Sequence, residues 1–92
     1  IDLLPGTLDL IEEGIMPGGS KRNLEHAEKF TNFSPELSYN EKLITCDAQT
    51  SGGLLITLPP KNAQAFLNDF GNEAKVIGEI ISEKDKSVIA NL

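Results

Sequence analysis

The stretch CDAQTSGGLLITLP, residues 46–59, joins a polar turn to an apolar run and decides the predicted fold. Its apolar part, residues 54–58, has the length and the bounding residues of a buried β-strand. The two glycines before this run allow positive φ and close approach of another group. Successive backbone N–H groups in such a turn can form an anion-binding concavity beside the hydroxyls of Thr50 and Ser51. For the glycine pair alone, a plain tight turn into a strand is the favoured interpretation.

Length and composition limit the classes of protein to which the chain can belong. The 92 residues have the size of one domain or part of one, and with no tryptophan the core must be mainly aliphatic. Eight basic against fourteen acidic residues argue against a nucleic acid or a membrane surface as partner. No apolar run approaches the ~20 residues that cross a bilayer, and no signal peptide pattern is present. The single cysteine excludes an internal disulfide, and we expect a reducing, cytoplasmic location.

Apolar spacing and capping residues predict three short helices in the first half of the chain. The first has Thr7 as its N-cap and ends at Gly14. The second covers residues 21–30 and is capped by Ser20. The third begins at the Ser-Pro-Glu sequence of residues 34–36, where proline suits the first helical position, and runs to about residue 46.

A strand, a helix and two further strands are predicted after the turn. Two prolines at 59–60 open the clearest helix, which Gly71 ends. Its apolar stripe, which we interpret as core, consists of Ala63, Phe66, Leu67 and Phe70. Residues 75–81 and 87–90 are predicted to form an antiparallel hairpin. The fold class is therefore α+β, a single domain over residues 1–92 with helices on one face of a mixed or antiparallel sheet.

Two residues that often carry chemistry have simpler interpretations here. His26 is the only histidine and has no cysteine pair near it, so a zinc site is disfavoured and an exposed position is expected. Nothing close in sequence activates Cys46 as a nucleophile, so we expect a small buried thiol.

Three segments, in order, resemble the C-terminal part of selenophosphate synthetases (selenide, water dikinases). The stretch DAQTSGGLL at 47–55 resembles a signature of that family, and MPGGSKRN at 16–23 resembles its glycine turn with a following Arg-Asn step. The stretch VIGE at 76–79 resembles a late strand of the family. Ala48 departs from the pattern, because the family commonly carries proline there, but the Thr-Ser-Gly-Gly core is intact.

This resemblance implies a fold, an activity and partners. The fold would be part of the C-terminal domain shared with aminoimidazole ribonucleotide synthetase-like enzymes, in a longer two-domain enzyme. The whole enzyme would make selenophosphate, AMP and phosphate from ATP, selenide and water, using Mg²⁺. Its partners would be its own N-terminal domain, a second copy in a homodimer, and the small molecules ATP and selenide. The family's glycine-rich Cys–Lys segment and its metal-binding aspartate have no counterpart here. We therefore expect this chain alone to be inactive, to hold no metal and to bind neither ATP nor Mg²⁺ tightly.

Two segments are candidates to line the phosphate or selenium end of such a cleft, and we hypothesise that they lie near each other. From residue types alone the first is equally a helix stop, a cap and two solvated basic residues. The carboxylate of Asp47 is expected to brace its turn by accepting backbone N–H bonds rather than to bind metal. No catalytic residue is expected in this chain. The cleft candidates are Gly18, Gly19, Ser20, Arg22, Asn23, Asp47, Gln49, Thr50, Ser51, Gly52 and Gly53.

Two alternatives stay open. The chain can belong to another ATP-dependent synthetase of the same superfamily, such as the purine-pathway enzyme, acting on a different acceptor. It can also be a non-catalytic acidic interaction domain, in which case the hydroxyl-rich turn would be exposed and indifferent to phosphate.

Overall fold

A computed structural model describes residues 2–91, which divide into two compact units. One unit comprises Asp2–Ser51 together with residues 83–91, and the other is Gly52–Ser82. None of the helices in the described part of the chain is long and apolar enough to span a membrane. The elements are α1 (Thr7–Glu12), α2 (Gly18–Ala27), β1 (Thr31–Phe33), α3 (Tyr39–Thr45), α4 (Pro60–Phe70), a 3₁₀ turn (Gly71–Glu73) and β2 (Val88–Ala90).

The core of the first unit is small and comes from the first three helices. Each of them contributes one buried aliphatic side chain, Ile11 from α1, Leu24 from α2 and Leu43 from α3. Leu43 is the most deeply buried, with 1% of its surface exposed. Four partly buried residues pack against this cluster: Met16, Phe33, Ile44 and Cys46. With so few buried side chains, each one contributes a large share of the unit's apolar burial.

The predicted start of the first helix is wrong by one residue. Helix α1 begins at Thr7 itself, and Gly6 takes the N-cap position with φ of 83°, a left-handed conformation that glycine adopts without a Cβ clash. The Thr7 hydroxyl donates to the carbonyl of Leu4 at 2.8 Å and caps no helix N–H group.

The third helix starts later than the Ser-Pro-Glu sequence predicts, and it ends as predicted. The Ser34 hydroxyl accepts a bond from the N–H of Glu36 at 3.3 Å, and the N–H of Leu37 bonds to the Ser34 carbonyl. These bonds close a single turn. Helix α3 then begins after Ser38, which forms a capping box with Glu41. The Ser-Pro-Glu sequence that predicted a helix start therefore forms a local turn instead.

The capping box makes α3 sensitive to acid. The Ser38 side chain, and then its backbone N–H, hold the pKa of Glu41 below its ordinary value of 4.5. Because the lowered pKa belongs to the folded state, this contribution to stability is complete above the ordinary value and is lost as the pH falls through the lowered one. We expect wild type to lose stability relative to Glu41→Gln, which keeps an acceptor oxygen but does not titrate, between about pH 6 and pH 3. Urea unfolding followed by far-UV circular dichroism measures this difference, and parallel pH profiles would contradict the prediction.

The last strand pairs with a strand that the sequence pattern does not predict. Strand β2 runs parallel to β1, in the register Thr31 to Val88, Asn32 to Ile89 and Phe33 to Ala90. The predicted antiparallel hairpin of residues 75–81 with 87–90 is therefore wrong. Two flanking backbone bonds extend the pairing, from the Val88 N–H to the Phe30 carbonyl and from the Ser34 N–H to the Ala90 carbonyl. A parallel pair needs a long connection, and local patterns cannot identify its two members.

In the unit Gly52–Ser82 the predicted helix is confirmed, whereas the predicted strands are wrong. Helix α4 ends at Phe70, and Gly71 follows with φ of 59°. Its apolar stripe is not a core, since none of its residues is buried, although the rings of Phe66 and Phe70 stack at 4.4 Å. Residues 54–58 and 75–81 belong to no strand, and most of their large apolar side chains are exposed. A strand needs a partner with which to exchange backbone bonds, and no ladder within the described residues includes either segment.

Candidate functional site

The first candidate segment forms the first turn of helix α2. The structure places Gly18, Gly19 and Ser20 inside the helix, with Pro17 in the N-cap position and no side-chain cap. The predicted role of Ser20 as the cap is therefore wrong. As at any helix start, the first backbone N–H groups lack acceptors within the helix and carry partial positive charge. The Ser20 N–H donates to the Pro17 carbonyl at 3.1 Å, so the donors that this turn presents are the N–H groups of Gly18 and Gly19. The exposed side chains of Lys21 and Arg22 follow the turn directly.

The Ser20 hydroxyl connects α2 to the second candidate segment. Only 2% of Ser20 is exposed. Its hydroxyl donates to Oδ1 of Asp47 at 3.0 Å and accepts from the backbone N–H of Ala48 at 3.3 Å. Ala48 stands at the position where proline would have no N–H to donate. The departure from the family pattern therefore adds a hydrogen bond between the two segments.

Further side chains brace the second segment. Oδ2 of Asp47 accepts a bond from Nε2 of Gln49 at 3.2 Å, so both carboxylate oxygens have protein donors. Nδ2 of Asn23 donates to the Cys46 carbonyl at 3.1 Å. Asp47 was expected to accept backbone N–H bonds, but its partners here are two side chains. In this geometry Asp47, Gln49 and Asn23 hold the chain in place.

A close steric contact accompanies these hydrogen bonds. A Cβ atom added to Gly19 would lie 2.9 Å from the Cβ of Ala48, closer than real Cβ contacts occur. A Cβ atom added to Gly18 would meet nothing within 4 Å. The glycine at position 19 therefore lets α2 approach the segment that follows α3. The sequence has glycine at both positions, and the sequence alone does not show which of the two the packing requires.

The remaining candidates are exposed or belong to the other unit. Arg22, Thr50 and Ser51 are exposed to solvent. Gly52 and Gly53 begin the unit Gly52–Ser82 and are exposed as well. Gly53 does not have positive φ, so it does not use the freedom expected of it. A role of these residues in binding stays a prediction.

His26 and Cys46 stand outside this arrangement. His26 is exposed on α2, as predicted. Its ring packs in a T-shaped arrangement with that of Phe30, with the two ring centroids 5.4 Å apart. Cys46 is a half-buried free thiol packed against the core, with Sγ 3.8 Å from the Thr45 hydroxyl. Among residues 2–91, no group of three His, Cys, Asp or Glu side chains is placed to hold a metal ion.

Comparison with known proteins identifies the family. The family model for the AIR synthase related protein, C-terminal domain, matches residues 11–91, and the chain belongs to this family. The chain is 39% identical over 88 residues to a selenide, water dikinase from Aliarcobacter butzleri, covering 90% of this chain and 25% of that protein. It is 40% identical over 83 residues to one from Citrifermentans bemidjiense, covering 87% and 23%. A third, from Clostridium botulinum, is 34% identical over 92 residues, covering 97% and 27%.

These matches confirm the resemblance to selenophosphate synthetases and the aminoimidazole ribonucleotide synthetase-like C-terminal fold. The chain spans about a quarter of the length of the relatives that it matches. No solved structure matches it significantly.

Proposed function

We propose that this chain forms one wall of the substrate cleft in a selenophosphate synthetase. The whole enzyme would convert ATP, selenide and water into selenophosphate, AMP and phosphate. The observation that carries the proposal is the hydrogen bond between Ser20 and Asp47, which joins two family-like segments 27 residues apart. The name selenide, water dikinase, shared by the relatives quoted above, supplies the reaction.

The start of α2 would face the phosphate groups. Backbone N–H groups at a helix N-terminus bind anions, and the helix dipole adds favourable electrostatic energy. The side chain of Arg22 can donate two parallel hydrogen bonds to a phosphate, and Lys21 adds positive charge. Both side chains are exposed and available for a ligand.

The hydroxyls of Thr50 and Ser51 would provide the second set of donors. They lie three and four residues after Asp47, and Asp47 is fixed to α2 through Ser20. Phosphoryl transfer is accelerated mainly by donors and charges that are held in position before the reaction. A turn that is anchored within four residues of its hydroxyls meets this requirement better than a loose loop.

Magnesium supplies charge neutralisation at the phosphates in reactions of this kind. The described residues do not fit a magnesium site, because both Asp47 oxygens already accept side-chain bonds and no group of three His, Cys, Asp or Glu side chains is placed to hold a metal ion. In our proposal the metal ligands and the remaining ATP contacts come from the enzyme's own N-terminal domain, and a second copy completes a homodimer. The present chain would contribute anion donors only.

A chimera tests the proposal. The matching segment of the Aliarcobacter butzleri relative is replaced by this chain, and AMP formation is measured with ATP and Mg²⁺, with and without selenide. We expect selenide-dependent AMP formation, and we expect Ser51→Ala to lower kcat/KM about a hundredfold if its hydroxyl stabilises the transferred group. Ser82→Ala, the same change at another exposed serine, is expected to leave kcat/KM unchanged.

The other outcomes separate the alternatives. ATP turnover that does not depend on selenide would favour another ATP-dependent synthetase of the family. A folded chimera without ATP turnover would contradict the proposal and favour a non-catalytic interaction domain. The 92-residue chain alone is expected to form no AMP from ATP and selenide, and measurable formation would contradict that part of the proposal.

A further inference from the structure

We infer that Ser20 is a positioning residue that sets the orientation of the Thr50 and Ser51 hydroxyls through Asp47. A buried hydroxyl must satisfy its donor and its acceptor within the protein. Ser20 does so with two atoms of the second segment, Oδ1 of Asp47 and the N–H of Ala48. The second segment is therefore fixed to α2 at residues 47 and 48, and Thr50 and Ser51 lie two and three residues after Ala48.

Steric contact fixes the distance between the two segments. Hydrogen bonds at 3.0 and 3.3 Å hold residues 47 and 48 against α2, and the Cβ of Ala48 fills the space that a side chain at position 19 would need. Moving the segment away from α2 would break the hydrogen bonds, and moving it closer would cause a steric clash at Ala48. Either movement would raise the free energy of the folded chain. We define the Ser20 anchor as Gly19, Ser20, Asp47 and Ala48.

For the ligand the inference rests on the proposed function. It predicts that removing the negatively charged side chain of Asp47 weakens the binding of phosphate, although phosphate is itself negatively charged. Asp47 carries a negative charge near the proposed phosphate site. If that charge were its only influence, both Asp47→Asn and Asp47→Ala would bind phosphate more tightly. If Asp47 positions the turn, Asp47→Asn keeps an oxygen that accepts from Ser20, whereas Asp47→Ala leaves the buried Ser20 hydroxyl without its acceptor.

The first experiment titrates the full 92-residue chain and its two Asp47 variants with inorganic phosphate and follows the amide NMR signals of Thr50 and Ser51. We expect Asp47→Asn to bind at least as tightly as wild type and Asp47→Ala to bind about tenfold more weakly, the loss of one hydrogen bond to a charged group. Equal or tighter binding by Asp47→Ala would overturn the inference.

The second experiment needs no ligand and therefore separates the two proposals. Gly19→Ala is expected to move the Thr50 and Ser51 amide signals, because the added Cβ collides with that of Ala48. Adding Ala48→Gly removes the collision and should return these signals to the positions they have in Ala48→Gly alone. Gly18→Ala, whose Cβ meets nothing within 4 Å, should leave them unchanged.

Each outcome of the second experiment is decisive for the Ser20 anchor. If Gly19→Ala prevents folding, a folded double variant supports the inference and an unfolded one overturns it. Thr50 and Ser51 signals that ignore Gly19→Ala in a folded chain also overturn it. If wild type shows no phosphate response while the double variant rescues the signals, the proposed function fails for the isolated chain and the anchor stands.

Discussion

Among single truncations of this chain, Leu43→Ala is expected to destabilise the unit of residues 2–51 and 83–91 the most. Leu43 is 1% exposed and packs with Ile11 and Leu24, one buried residue from each neighbouring helix. Leucine-to-alanine changes at such sites cost about 2–5 kcal/mol, because transfer free energy is lost and a cavity remains. Since the core contains so few buried side chains, we expect the variant to be largely unfolded at room temperature. Urea unfolding followed by circular dichroism measures the loss.

Leu55→Ala is the matched control for this prediction. It removes the same atoms from a side chain that is 78% exposed, so the free energy of unfolding should change by less than about 0.5 kcal/mol. Equal effects of the two variants would contradict the burial on which the prediction rests. A small effect of Leu43→Ala alone would mean that the helices collapse around the cavity.

The local signals of the chain predicted its helices better than its strands. The two prolines and Gly71 set the bounds of α4, because helix starts and stops depend on residues within one turn. The apolar run at 54–58 is as clear a signal, yet it forms no strand, because a strand is defined by the segment that pairs with it. Strand β1 is the opposite case. Its three residues carry no clear strand signal in the sequence, and they form a strand because β2 lies beside them.

The candidate site was predictable in position and only partly in detail. The glycine, hydroxyl and carboxylate residues of its two segments stand out in the sequence, and the structure joins the segments through Ser20 and Asp47. The partners of each side chain were not predictable. A serine before two basic residues looks like a helix cap, and only the packing of α2 against the segment after α3 shows that its hydroxyl faces Asp47. Contacts between residues 27 positions apart leave no periodic signal along the chain.

Lys86→Met is expected to loosen the pairing of β1 with β2. Nζ of Lys86 donates to the carbonyl of Glu28, at the end of α2, at 2.6 Å, and to the carbonyl of Thr31 at 3.3 Å. A cation at the C-terminal end of a helix also interacts favourably with the helix dipole. One side chain, two residues before β2, thus ties the approach to this strand to the end of α2 and the start of β1. Since hydrogen bonds from a charged group are worth about 1.5–3 kcal/mol, we expect a loss of that order in the free energy of unfolding.

Lys84→Met provides the comparison, because it removes the same charge from an exposed position two residues before Lys86. Amide hydrogen exchange at Val88 and Ser34 reports the pairing directly, since these N–H groups donate to the carbonyls of Phe30 and Ala90. Exchange at both should accelerate in Lys86→Met and stay near the wild-type rate in Lys84→Met. Equal acceleration in the two variants would mean that net charge controls the pairing. An unchanged rate in Lys86→Met would mean that the backbone bonds alone hold β2 in place, and the long-range contact of Lys86 would then be a consequence of the fold and not one of its causes.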